Sequence, residues 1–138
     1  MRELHDHKLT GLNEAISIRA TDDPGPGGAN HSYTIQWGEP HPDTKLVFGQ
    51  KILFQNGPIK ETGINGISNE ALLAIVIDRL RGFQYQRKDD GSFDIRTPGG
   101  YACRENAVAL TKLEEAMMWL QKRTRERMAR GVEGTNQK

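Results

Sequence analysis

The side chains best suited to chemistry are three arginines, Arg123, Arg127 and Arg130, set four and three positions apart. If the stretch 121–130 is helical, that spacing puts all three on one face. Guanidinium groups present planar forks of N–H donors that match phosphate oxygens, so the chemistry suggested is recognition of a phosphorylated anion. Basic residues near a helix C-terminus also complement the helix dipole, and the pattern by itself is equally compatible with that role.

Other candidates are weaker. The segment 55–68 carries Gly57, Gly63, Gly66, Asn56 and Asn65 on the way into a helix start, where free N–H groups can receive an anion. It lacks the Gly-Lys-Ser/Thr ending of a P-loop, and a structural strand-to-helix turn explains it better. His5 and His7 flank an aspartate, and His31 and His41 have no cysteine or carboxylate at metal-ligand spacing, so no metal site is expected. Cys103 precedes a helix start with no base beside it, and Glu114 and Glu115 point to different faces of one helix. No nucleophile–base pair emerges, and neither catalysis nor a cofactor is expected.

The 138 residues are 36% apolar and 27% charged, enough for one modest core. A small chain with a long amphipathic helix often completes the burial of that helix against a second copy of itself. The sequence has no apolar run long enough for a membrane span and no secretory signal core, and its single cysteine fits a reducing compartment. The net charge of +1 is unevenly placed. Residues 1–68 hold six basic and eight acidic side chains, and residues 104–138 hold eight and five, so an anionic partner belongs at the last helix.

The first half reads as antiparallel β structure. Residues 15–19 alternate, the Gly/Pro-rich stretch 23–28 breaks the chain, and Tyr33, Ile35 and Trp37 share one face of 32–37. A third strand is expected within 46–55, giving a meander. Ser68 is a good N-cap for a helix over 69–81, with Gly82 as its stop. The connector 84–103 carries Asp89-Asp90-Gly91 between short alternating runs, the signature of a small hairpin. A last helix spans 104–130, ends at Gly131, and leaves a polar, frayed tail over 132–138. Along it Asn106, Leu110, Leu113, Met117, Leu120, Thr124 and Arg127 repeat with heptad spacing. The expected fold is therefore α+β: an N-terminal antiparallel sheet of about three strands over 1–67, then a C-terminal helical hairpin over 68–131 with the inserted connector 84–103. That hairpin is expected to mediate oligomerisation.

Two blocks carry a resemblance. One is Phe54-Gln55-Asn56-Gly57-Pro58-Ile59-Lys60-Glu61, then Gly63-Ile64-Asn65-Gly66, then Asn69-Glu70-Ala71-Leu72-Leu73. The more specific one is Arg104-Glu105-Asn106-Ala107-Val108-Ala109-Leu110-Thr111-Lys112-Leu113-Glu114-Glu115-Ala116, followed by Trp119-Leu120 and Arg123-Thr124-Arg125. Over roughly residues 45–134 the chain resembles the phage anti-Thoeris sponge family, whose helical hairpin is shared with the phage anti-CBASS sponges. The resemblance implies a homodimer or higher homo-oligomer, a hexamer among them, acting in the host bacterial cytoplasm. It implies sequestration of a glycocyclic ADP-ribose messenger without cleavage, and leaves room for a second site for cyclic di- or trinucleotides. Its implied site residues are Phe83, stacking on the base, Asn106 early in the last helix, and Arg123 with Arg127 near its end. The connector is longer than the compact link of the family, so Phe93 or Tyr101 could take the stacking role of Phe83.

Helix geometry then constrains the site. Asn106 and Arg123 are seventeen residues apart, roughly 25 Å along a helix and on faces roughly 100° apart. A ligand the size of a cyclic dinucleotide cannot touch both within one chain, so a shared pocket needs Asn106 of one protomer and the arginines of another. Three other readings remain: a nucleic-acid-binding helix, argued against by the low net charge and by Glu126 and Glu133 in the basic run, a purely structural oligomer, and a nucleotide-degrading enzyme.

Overall fold

The computed structural model describes residues 1–138, which divide into two compact units, Met1–Ile67 and Ser68–Lys138. The first unit is an antiparallel meander, β1-β2-β3-β4, built from β1 (Arg2–Leu4), β2 (Ile16–Ala20), β3 (Ser32–Trp37) and β4 (Phe48–Leu53). Four strands stand where the periodicity predicts about three. The extra one, β1, has only three residues, two of them charged, so no alternation marks it; it forms because β2 offers it an edge, pairing Arg2 with Ala20 and Leu4 with Ile18. The Gly/Pro-rich break is tied down by Asp22, whose carboxylate accepts the backbone N–H groups of His31 (2.9 Å) and Ser32 (3.1 Å). Those N–H groups, His31 first, hold the Asp22 carboxyl below the usual carboxylate range.

After β4 the chain forms one short helical turn, α1 (Ile59–Thr62), and returns so that Ile67 bridges Phe54. Gly66 is needed there, because a Cβ would lie 2.3 Å from the Phe54 carbonyl carbon. The amide side chains of this loop serve the loop itself. Asn65 donates to the Asn56 carbonyl (2.7 Å) and accepts its N–H (2.8 Å), while Gln55 donates to the Gly63 carbonyl (2.8 Å). The strand-to-helix segment is therefore a self-bonded turn.

The second unit contains α2 (Asn69–Gln84), a two-stranded hairpin of β5 (Tyr85–Arg87) and β6 (Phe93–Pro98), and α3 (Arg104–Ala129). Ser68 caps α2, its hydroxyl accepting the Ala71 N–H (3.1 Å), as its residue type predicts. Gly82 does not stop this helix, which continues to Gln84 because Gln84 is tied on both sides. Its carbonyl accepts the Gly99 N–H (2.9 Å) and its buried side chain accepts the Cys103 N–H (2.8 Å). These two bonds close the base of the connector, so its extra length projects as the β5–β6 hairpin and α3 still starts beside the end of α2.

Gln84 meets Cys103, and one turn earlier Arg81 reaches Glu114 (3.2 Å), so α2 and α3 run as an antiparallel pair. At 1.5 Å per residue the 26-residue α3 outreaches the 16-residue α2 by roughly 15 Å. Ile77 and Leu110 are the buried apolar centre of this unit. Every position of the heptad seam, from Asn106 through Leu110, Leu113, Met117, Leu120 and Thr124 to Arg127, is buried or half-buried. No helix is long and apolar enough to cross a membrane.

Candidate functional site

The two ends of α3 hold different chemistry. At its start, Cys103 is the N-cap, its sulfur accepting the Asn106 N–H at 3.4 Å, so Asn106 sits half-buried in the first turn with its side chain uncommitted to capping. Phe83 is in the last turn of α2, adjoining the Gln84 that bonds Cys103. Tyr101 stands edge-on to the Phe83 ring (centroids 6.3 Å apart, planes at 84°), and the Arg79 guanidinium lies 5.6 Å from the Phe83 centroid. Gly99 makes this approach possible, since a Cβ there would come within 2.5 Å of the Phe83 carbonyl oxygen. Phe93 is elsewhere, in the β5–β6 hairpin under Arg87 at 4.3 Å. Of the three aromatic candidates, Phe83 and Tyr101 share one place and Phe93 stands apart.

At the other end, Arg123, Arg127 and Arg130 share a face as their spacing predicts, and Arg123 and Arg130 are exposed. Glu126 sits among them, but Lys122 pairs with it one turn back and holds its carboxyl below the usual range. Arg127 differs from its neighbours, being only 8% exposed. Polarity predicts a frayed tail over 132–138; these residues instead turn back along α3 and cover it. The turn begins at Gly131, whose φ of 70° suits glycine. There Gly131 N–H bonds the Met128 carbonyl and Val132 N–H bonds the Arg127 carbonyl, each at 3.0 Å, the paired bonds of a Schellman motif.

The returning chain then takes up the Arg127 guanidinium. Nε donates to the Glu133 carboxylate (2.9 Å), Nη1 to the Gln137 carbonyl (2.5 Å), and Nη2 to the Val132 and Thr135 carbonyls (3.0 Å each). Arg130 donates to the Lys138 carbonyl (2.7 Å). Between helix and returning chain lies a cavity of about 350 Å³, walled by Arg123, Glu126, Arg127 and Arg130 on one side and residues 135–138 on the other.

The four residues singled out in the sequence thus fall into two sets: Phe83 and Asn106 at one end, Arg123 and Arg127 at the other. Because α3 is unbroken from Arg104 to Ala129, the sets stay roughly 25 Å apart within a chain. Tyr101, expected only as a substitute for Phe83, stands against its ring instead, and Glu133, expected only as a break in the basic run, is a direct partner of Arg127. Gly131 and Gly134, both at positive φ, were the available signals for a chain that doubles back. As chemistry, one end offers an aromatic face with an amide, and the other a cluster of permanent cations; guanidinium groups bind anions and cannot act as bases at neutral pH.

The family pattern described as "Acb2/Tad1, hairpin domain" matches residues 49–125, a span that includes Phe83, Asn106 and Arg123 and stops short of Arg127. Thoeris anti-defense 1 of Bacillus phage SBSphiJ7 is 36% identical over 155 aligned residues, covering all of both chains.

Proposed function

We propose, because the chain belongs to the Acb2/Tad1 hairpin-domain family, that it counters bacterial Thoeris defence by binding a glycocyclic ADP-ribose messenger and holding it uncleaved. It would act in the cytoplasm of the infected cell, where the messenger is made. The observation that carries this reading is the convergence of Arg123, Arg127 and Arg130 on one cavity at the end of α3. Their forks suit the messenger's pyrophosphate, each charge-assisted bond contributing roughly 1.5–3 kcal/mol before desolvation. Phe83 takes the adenine face, worth about 1–3 kcal/mol in stacking sites, and Asn106 supplies a donor and an acceptor for the sugar or base edge.

The distance between the two sets makes the pocket a shared one. Asn106 and Phe83 of one protomer meet Arg123 and Arg127 of a second, with the α3 helices antiparallel across a dimer. A second copy would also cover apolar side chains that the hairpin leaves exposed, among them Ile75, Met118 and Trp119. Inhibition then follows from mass action: protein in excess over messenger lowers free messenger below the effector's threshold.

The test is depletion and recovery. Protein is incubated with a glycocyclic ADP-ribose, filtered, then heated, and the released ligand is identified by mass. Depleted filtrate and intact messenger after heating are expected. An undepleted filtrate removes the reading, and a cleaved product converts it to catalysis. Cyclic di- and trinucleotides belong in the same screen, as ligands for a second site.

A further inference from the structure

Four of the five N–H donors of Arg127 are already taken. One carboxylate oxygen and three carbonyl oxygens of residues 132–138 surround it, and its side chain is 9% exposed. That acceptor set, oxygens of net negative charge around a single fork, is what a diphosphate would present to the same group. Arg123, one turn earlier, stays exposed. The covering chain is held by a turn that needs two left-handed glycines, Gly131 at φ 70° and Gly134 at φ 78°, and by the Thr135 N–H bonded to the Val132 carbonyl (3.1 Å). Apart from Arg127 and Arg130, its bonds are to itself.

We infer that residues 132–138 are a built-in competitor: they occupy Arg127 until a diphosphate-bearing ligand displaces them, and Glu133 is the residue that sets how tightly they compete. The inference rests on the binding reading given above. An anion first meets exposed Arg123 and Arg130 at the mouth of the cavity, and then exchanges with the Glu133 carboxylate for Arg127. When the competent form is only part of the population, apparent affinity falls by that fraction, so weakening the strap tightens binding. The strap also screens a desolvated cation from the many other anions of a cell, since a ligand must replace four hydrogen bonds to reach it.

The experiment uses the full-length protein and follows two backbone amide resonances, Gly134 and Gln137, together with the Arg127 Nε–H, during titration with inorganic pyrophosphate. Pyrophosphate is expected to move the tail resonances toward those of a free chain while the Arg127 Nε–H shifts and stays protected. Glu133→Gln should lower the midpoint on the order of tenfold, since it removes the charge from the competing acceptor. Gly131→Val, which disturbs the turn without changing charge, should shift it in the same direction. Tail resonances that do not move, or a Glu133→Gln midpoint equal to or above the wild-type value, overturn the inference. A parallel titration with a glycocyclic ADP-ribose separates the two claims: displacement by pyrophosphate with none by the messenger leaves the strap standing and removes the messenger.

Discussion

The start and the end of α3 are built from different kinds of information. The start is assembled across the connector: Cys103 caps the helix, Gln84 holds Cys103, and Gly99 lets the chain return close to Phe83. Tyr101 there is 79% exposed, while Phe83 and Asn106 are half-buried. The end is assembled by a chain that doubles back, and its central arginine is consumed by that chain. An aromatic face can stand open to water at modest cost, whereas a buried guanidinium needs acceptors at all times. The end of α3 therefore carries its own hydrogen-bond acceptors and the start does not.

That contrast sets an order of effects. The largest belongs to the cations. Arg127→Ala is expected to weaken messenger binding more than about 100-fold and Arg123→Ala about 10- to 100-fold, measured by calorimetry at fixed salt, with the oligomer unchanged by light scattering. Equal affinities for mutant and wild type would dissolve the distinction between the two ends. Next comes the aromatic end: Phe83→Ala should cost roughly 5- to 100-fold, consistent with one lost stacking contact, and Tyr101→Ala less, because Tyr101 only borders the Phe83 ring. If Tyr101→Ala is the more damaging, Tyr101 is the stacking residue and Phe83 its support. The smallest effects are on stability, read by thermal melting. Gly131→Ala forces a Cβ into a left-handed turn and should cost about 1 kcal/mol. Cys103→Ser puts a stronger N-cap at the other end and should raise the midpoint by a fraction of that. A melt insensitive to Gly131→Ala would mean that the turn is not held as described.

The parts legible in the sequence were those governed by short-range periodicity. Tyr33, Ile35 and Trp37 mark β3, Ser68 marks the start of α2, and the 3.5-residue repeat from Asn106 to Arg127 marks the inward face of α3 along its whole length. Less legible were features decided by partners distant in sequence. β1 exists by pairing with β2, and α2 passes Gly82 because Gln84 has bonds waiting at Gly99 and Cys103. The candidate site is expressed in the sequence as residue types and a spacing. Arg127 reads from its helix alone as the last position of the seam, and what covers it follows only from Gly131 turning residues 132–138 onto it.

The central claim, a pocket shared between protomers, has a direct test in complementation. Asn106→Ala and Arg127→Ala chains, carrying different tags, are co-expressed, and the mixed assembly is isolated through both tags and titrated with a glycocyclic ADP-ribose by calorimetry. In a shared pocket, each mixed pair rebuilds one intact site from the Asn106 of one chain and the Arg127 of the other, and loses both groups in the second site. The account predicts that each single mutant binds poorly alone, and that the mixed pair recovers wild-type affinity at half the wild-type number of sites. A mixed assembly that binds no better than its parents would contradict it and place the whole site within one chain.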